Sequence, residues 1–539
     1  MPSKFNDTHI VLISKVKNPT KITEYRPISL SNVISRLAFK VITNRLKRFL
    51  LDIISENQSA FMSTRLITDN VLVAFETIHH LNKKRSGRIG EMALKLDMSK
   101  AFDRVEWGYL HDIMLKMGFH TKWVNLMMLC VTSVTYSIRI NGAPRGHITP
   151  MRGLQQGDPI SPFLFLFCAE GLSALLNQTS RSGAIHGVVA CPRGPQISHL
   201  FFADDSIIFC RATSADCAHL ECILETYEQA SGQQLNRDKT ALFFSKNTTL
   251  EVQEDIKHRF RAEVIRQHET YLGLPSLVGR SKRNTFRALK KRLDNKLSGW
   301  KEKLLSQARK EILIKAMAQA IPTYTMSVFK LPDSLCDEMT SMVCKFWWGQ
   351  KEGRNKMAWL RWEKMCAPKK DGGLGFRDLK AFNITLLANQ GWHLQSNTRS
   401  LVHRVLKACY FPDRDFIYAE LGRTPSYAWR SIMATQDVVR AGHRWQVGDG
   451  TSIQIWRDKW LPKPSTFQVI SMPNTLPETA TVSELIDEAT GEWNVDLIKH
   501  VFLPDDAHTI LGIPRSSKRN RDRLIWAYTP KGTFTEQCL

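Results

Sequence analysis

The chain has 539 residues, 43% hydrophobic and 23% charged, a composition that suits several folded domains and excludes a disordered or fibrous chain. Lys and Arg number 75 against 51 Asp and Glu, and the net charge of +24 calls for a polyanionic partner, nucleic acid first and an anionic membrane surface second. No run reaches the roughly 18 apolar residues of a spanning helix, no signal-peptide pattern opens the chain, and the 11 cysteines, without CxxC spacing, read as reduced thiols of an intracellular protein, neither a disulfide framework nor a zinc cluster.

In chain order, residues 69–84 carry Val71, Leu72, Phe75, Ile78 and Leu81 at helical spacing, with Thr68 or Asp69 placed to cap. Leu94, Leu96 and Met98 alternate with Lys95 and Asp97, the period of a strand, and a helix follows through Trp107, Leu110, Met114 and Met117. Residues 163–177 are apolar all round and read as a buried helix, with Pro162 at its first position and Ser161 as its cap. HLFFADDSIIFC (199–210) reads as a hairpin turning at Ala-Asp-Asp-Ser, and another helix fits 215–230.

After about residue 276 the character changes. Residues 279–315 hold 13 Lys and Arg but three acids; Phe286, Leu289, Leu293 and Leu297 form one helical stripe, and Arg283, Arg287, Lys290 and Lys291 lie largely on another. A solvated charged face is the bland reading of that second stripe; the excess of one sign points to a phosphate-tracking face. Twelve of the 14 tryptophans lie from Trp300 onward, and Trp347, Trp348, Trp359 and Trp362 are interleaved with Lys351, Arg354, Lys356 and Arg361, a pattern that serves base stacking or core packing. RWQVGDGTSIQIW (444–456) reads as a hairpin turning at Asp449–Gly450, and LPKPSTF (461–467) as a linker.

The adjacent Asp204 and Asp205 raise the chemical question. Two carboxylates a few Å apart resist joint ionisation unless a cation lies between them. Asp97 is the candidate third ligand, because its strand turns Leu94, Leu96 and Met98 to the core and Asp97 to the open side. If that strand pairs beside the 199–210 hairpin, the three carboxylates converge and their charge is neutralised by metal, not by Lys or Arg. Such an oxygen-only cluster suits Mg²⁺, and two ions about 3.5–4 Å apart support nucleotidyl transfer.

Asp97 with Phe102, RGLQQGDPISPFLF (152–165), FFADD (201–205) and SGQQLNRDKT (231–240), in that order, resemble the successive palm motifs of reverse transcriptases. The likeness is nearest to the LINE-type, non-long-terminal-repeat (non-LTR) retrotransposon enzymes of plants. YRPISLSNV (25–33), ISENQSAF (54–61), YLGLPSLVGRSK (271–282), FWWG (346–349), GGLGFRDLKAFN (372–383) and YAWRSI (427–432) resemble stretches of the same group. The resemblance implies an α+β right-hand polymerase. Residues 1–275 would form fingers and a palm with a small antiparallel sheet, 276–395 a basic helical thumb or connection, and 396–539 a Trp-rich C-terminal region.

The implied activity is RNA-directed DNA synthesis from deoxynucleoside triphosphates on an RNA template and DNA primer, with two Mg²⁺, or Mn²⁺ in substitution, held by Asp97, Asp204 and Asp205. Phe102 would guard against the 2′-hydroxyl, or be an ordinary core ring; Gln156 and Gly157 would lie against template and incoming base. Lys239 would reach the triphosphate or protonate the leaving pyrophosphate, or be a surface lysine. Lys21 and Arg26 are fingers candidates for the triphosphate, and the family's chromosomal target implies the nucleus. MSTR (62–65) departs from the family's Pro-Gly turn. The resemblance further leads one to expect that the upstream endonuclease and the C-terminal zinc segment are missing, with Cys538 alone. The rival readings are a catalytically inactive relic that only binds nucleic acid, an RNA-dependent RNA polymerase, which Phe102 argues against, and a DNA-templated repair polymerase.

Overall fold

The computed structural model describes residues 5–265, 270–301, 305–351, 354–355, 357–463, 466–515 and 520–535; the sequence readings on Lys356 and Cys538 fall outside them. The chain divides into two compact units, one of residues 1–278 with 399–409 and one of residues 279–398 with 410–539.

In the first unit the strands follow the chain as β1 (Asp7–Ser14), β2 (Tyr25–Ser31), β3 (Glu91–Leu96), β4 (Thr135–Ile140), β5 (Ala143–Ile148), β6 (Val188–Val189), β7 (Gln196–Ile197), β8 (His199–Phe202), β9 (Asp205–Arg211), β10 (Ala241–Phe244) and β11 (Glu263–Val264). One sheet has the order β2-β1-β4-β5, and a second the order β11-β10-β3-β9-β8, antiparallel except for the β10–β11 pair. The second sheet is central to the site. The helices Trp107–Lys116, Ser161–Arg181 and Ser214–Ser231 share one apolar core with Met92, Leu94, Leu96, Ile208 and Leu242 on one face. The helix Ile67–Lys83 contacts β3, β8 and β10. The face that the strand period leaves for Asp97 is therefore not open along its length: Ala93 is buried, while Glu91 at one end and Lys95 and Asp97 at the other reach solvent in part.

Two helix starts differ from expectation. Leu66, not Thr68 or Asp69, precedes the helix Ile67–Lys83, and Asp69 reaches back from its first turn to the Leu66 N–H at 3.4 Å. A carboxylate in the first turn serves the unpaired N–H groups as a cap would. Ile160 rather than Ser161 precedes the buried helix, and Asp158 Oδ1 accepts the Ile160 N–H at 2.8 Å.

In the second unit the stripe Phe286, Leu289, Leu293 and Leu297 is buried along the helix Lys282–Lys301. Most of the tryptophans serve packing: Trp429, Trp460 and Trp526 are fully buried, whereas Trp359 is exposed. The 444–456 hairpin does not form. His443–Gln446 pairs instead with Arg523–Trp526, and Asp522 collects the N–H groups of Gly448, Gly450 and Ser452 at 2.7–2.9 Å. A carboxylate that accepts three backbone N–H groups holds the Gly-rich turn without a cross-strand ladder. Nor is 461–467 a linker: Leu461 and Phe467 are buried, and Lys463 pairs with Asp505 and Asp506. Among the described residues no helix is long and apolar enough to cross a membrane.

The reading of all cysteines as reduced thiols also needs correction. Cys191 and Cys409, both in the first unit, form a disulfide across 218 residues with Cα atoms 5.3 Å apart. A bridge that spans so many residues leaves no spacing signature in the sequence.

Candidate active site

β3 and β9 pair antiparallel with Leu96 opposite Ser206. One more step of that register sets Asp97 opposite Asp205, and opposite residues share a face. β8 and β9 pair up to Phe202–Asp205, which leaves Ala203–Asp204 as a two-residue turn. Ala203 has φ +54°, the left-handed conformation at the first turn position where glycine is usual. A Cβ there costs roughly 1–2 kcal/mol, so the surroundings must hold the turn. They do so from residues the sequence reading did not single out. Phe201 N–H donates to Asn57 C=O (2.8 Å), and Phe201 C=O accepts from Ser59 N–H (3.1 Å) and Asn70 Nδ2 (2.8 Å). Gln58 Oε1 accepts from Ala203 N–H at 3.1 Å. The signal was present in ISENQSAF, where five consecutive polar residues, Ser55, Glu56, Asn57, Gln58 and Ser59, interrupt a largely apolar region.

The carboxyls of Asp204 and Asp205 are both raised above the ordinary range. For Asp205, which is half-buried, withdrawal from water comes first and repulsion by Asp204 second. For Asp204 withdrawal from water comes first, its own backbone N–H pulls the other way, and Asp97 is the charge that repels it. Its own side chain is open to solvent, which weakens the burial contribution and leaves the repulsion with more weight. The cations nearby were not expected in this role. Lys239 Nζ lies 3.3 Å from Asp97 Oδ2, and Arg26, Lys95 and Lys239 all favour the ionised aspartates of the turn. Neutralisation by metal alone, as read from the sequence, is therefore replaced by partial neutralisation from lysine and arginine. Asn236 grips the same aspartate twice, Nδ2 to Asp97 Oδ2 at 3.2 Å and N–H to Asp97 C=O at 2.8 Å.

Phe102 lies in the turn Ala101–Arg104 and stacks on Phe165, centroids 4.9 Å apart at 15°. Leu154 N–H donates to Phe102 C=O (2.8 Å), and Gln156 Nε2 to Asp103 Oδ1 (3.3 Å), which ties the 152–158 loop to that turn. Gln156 C=O accepts from Ser29 N–H at 2.8 Å, which ties the same loop to β2. Gly157 has φ +110°, and a Cβ there would lie 3.1 Å from Ser29 O, so only glycine fits this approach. Arg26, exposed on β2, is close enough to act on Asp204. Lys21 is exposed ahead of the turn Ile22–Glu24, and no described contact ties it to the aspartates. In the second unit Arg283 and Lys290 both pair with Glu338, whereas Arg287 and Lys291 stand exposed on the same helix.

The family described as reverse transcriptase (RNA-dependent DNA polymerase) matches residues 14–275. The chain belongs to the reverse transcriptase family. Its matched region contains β3, the aspartate turn and the loop at Gln156–Gly157. An uncharacterized mitochondrial protein of Arabidopsis thaliana is 41% identical over 143 residues, 26% of this chain and 93% of that protein. The transposon TX1 uncharacterized 149 kDa protein of Xenopus laevis is 27% identical over 230 residues, 43% of this chain and 17% of that protein. The Pol polyprotein of the type-2 retrotransposable element R2DM of Drosophila melanogaster is 26% identical over 240 residues, 44% of this chain and 21% of that protein. The chain thus spans less than a quarter of the two transposon proteins.

A part-buried polar chain braces the Gln58 loop of this reverse transcriptase domain. Arg65 donates to the C=O groups of Ile54 (2.9 Å), Ser55 and Gln58 (2.6 Å), so the MSTR segment braces the loop of Gln58. Glu170 accepts from Ser55 N–H and Oγ, each at 3.1 Å, and burial pushes its carboxyl up to about 7. Because the folded state holds the proton more tightly than the unfolded chain does, Glu170 contributes stability below about pH 4.5. That contribution is lost as pH rises through about 7. Glu170→Gln keeps an acceptor for Ser55 and is expected to abolish this loss, worth on the order of 2 kcal/mol. Denaturant melts of both proteins at pH 5.5 and pH 8 check it; equal pH dependence in the two would refute the assignment.

Proposed function

We propose that the chain is an RNA-directed DNA polymerase of a non-LTR retrotransposon, joining a deoxynucleoside triphosphate to a primer 3′-hydroxyl on an RNA template. The observation that carries this reading is the register that sets Asp97 opposite Asp205, with Asp204 in the adjoining turn, inside the matched region. Their donor set, carboxylate oxygens alone, suits Mg²⁺ or Mn²⁺. Mutual repulsion of the carboxylates, which a cation would relieve, supports the same fit. As they stand, no group of three His, Cys, Asp or Glu among the described residues closes round an ion; Lys239 holds one Asp97 oxygen instead. Divalent ions bound by Asp97, Asp204 and Asp205 would supply activation of the attacking hydroxyl and charge neutralisation of the departing pyrophosphate.

The chain's own residues do the rest. Lys239, once free of Asp97, donates a proton from Nζ to the leaving pyrophosphate. Phe102 closes the space beside the sugar C2′, and the Gln156–Gly157 backbone supports the templating pair. Arg26 and Lys21 attract the triphosphate. The reading divides the chain into fingers and palm, a basic thumb containing Arg283, Arg287, Lys290 and Lys291, and a Trp-rich C-terminal region.

Primer extension on an RNA template, with Mg²⁺ and with chelator, tests the reading. Mg²⁺-dependent deoxynucleotide addition is expected. Binding without extension, unchanged in Asp204→Ala, would leave only an inactive nucleic-acid binder. For the thumb the expectation is a double-variant effect. Arg287→Gln with Lys291→Gln should lower the slope of log affinity against log salt by about 1.4–1.8, two phosphate contacts' worth. An unchanged slope in binding titrations would remove both residues from the interface.

A further inference from the structure

The Asp204 turn depends on a residue far away in sequence. Gln58 is 1% exposed, and its Oε1 accepts two N–H groups, its own loop's Ala60 at 3.0 Å and Ala203 of the turn at 3.1 Å. Its Nε2 is buried and has no hydrogen-bond partner. Only the carbonyl half of the side chain is therefore in use. The loop that presents it is itself fixed: Arg65 holds the Gln58 C=O, and Gln58 bridges to Phe201 in parallel pairing. Tyr271 O–H donates to Asn70 Oδ1 at 2.8 Å and Asn70 Nδ2 to Phe201 C=O, so the strand before the turn is gripped from a second direction. Ala203 is the residue that most needs such a grip, because its φ of +54° is one that a side chain resists.

We propose that Gln58 is a positioning residue for the aspartate turn: its side-chain carbonyl holds the Ala203 N–H, and so sets the direction in which Asp204 and Asp205 project. The consequence for catalysis rests on the polymerase reading above; the grip on the turn does not. Gln58→Met matches the side chain in length and fills a core gap readily, but has no carbonyl. Gln58→Glu, protonated in its buried site, keeps the carbonyl and replaces an amino group that has no partner.

The first measurement is hydrogen exchange of the full chain at the Ala203–Ser206 amides. Exchange in Gln58→Met should be at least tenfold faster than in wild type, with Gln58→Glu near wild type. Unchanged exchange in Gln58→Met, or equal acceleration in both variants, overturns the proposal. Should Gln58→Met not fold, Gln58→Asn withdraws the carbonyl by one methylene and is read the same way. The second measurement is steady-state extension. For Gln58→Met the expected pattern is a kcat at least tenfold lower with KM for the deoxynucleotide within twofold, restored in Gln58→Glu. A general loss of packing would raise KM and weaken template binding as well, and Gln58→Glu would not restore it. If wild type does not extend primers, the polymerase reading fails, and exchange alone decides the role of Gln58.

Discussion

Asp205→Asn is expected to lower primer extension by at least about 100-fold while leaving the fold as stable as before or more so. A lost metal ligand should cost no less than the 10–100-fold typical of the groups that merely support such ligands. The stability half of the expectation follows from the site's electrostatics. Asp205 is half-buried and is repelled by both Asp204 and Asp97, so its charge is a cost to the folded chain at neutral pH. An amide of the same shape removes that cost. A residue kept for packing behaves in the opposite way, losing stability when replaced. Single-turnover extension and a thermal melt of the same preparation check both halves. Extension within tenfold of wild type, or a melting temperature several degrees lower, would count against a catalytic aspartate here. Asp97→Asn should match the loss of extension, because its register neighbour is Asp205.

Phe102→Ala is expected to lower the preference for deoxynucleotides over ribonucleotides by roughly 10–100-fold, the range in which a pocket wall discriminates one small group. The ring's role is split. Its stack on Phe165 at 4.9 Å is core packing, and the remaining, less buried part is available to a sugar. Alanine therefore also costs stability, about 2–4 kcal/mol, less than for a fully buried ring. Phe102→Leu retains more of the packing and separates the two effects: it should melt nearer to wild type while still relaxing selectivity. The ratio of kcat/KM for dCTP and CTP is the readout. An unchanged ratio in both variants would show that another group guards the sugar and that Phe102 is a core residue.

Much of the site was legible because it rests on short-range pattern. HLFFADDSIIFC announced two apolar strands around a polar turn, and the hairpin β8–β9 is that object. The alternation around Asp97 likewise marked β3 and its buried side. What escaped was every feature supplied by a distant segment. Gln58 is 145 residues from Ala203, and Asn236 139 from Asp97. The 444–456 stretch has every local mark of a hairpin, yet Asp522, more than 70 residues later, takes its turn amides, and another strand takes its partner's place.

Periodicity, turn chemistry and charge excess are properties of neighbouring residues, so the sequence alone determined the course of β3, of the β8–β9 hairpin and of the helices that pack against them, which of their faces are apolar, and that acidic groups cluster in one turn while basic groups line one helix. Which cation each carboxylate meets was decided by the tertiary structure. Lys239 reaches Asp97 only because the segment after the helix Ser214–Ser231 returns beside β3. The same holds for the glutamine that holds Ala203 in a left-handed turn, and for the cysteine that pairs with Cys191. Long-range contacts of this kind depend on how the chain closes on itself, and no window of the sequence contains both partners.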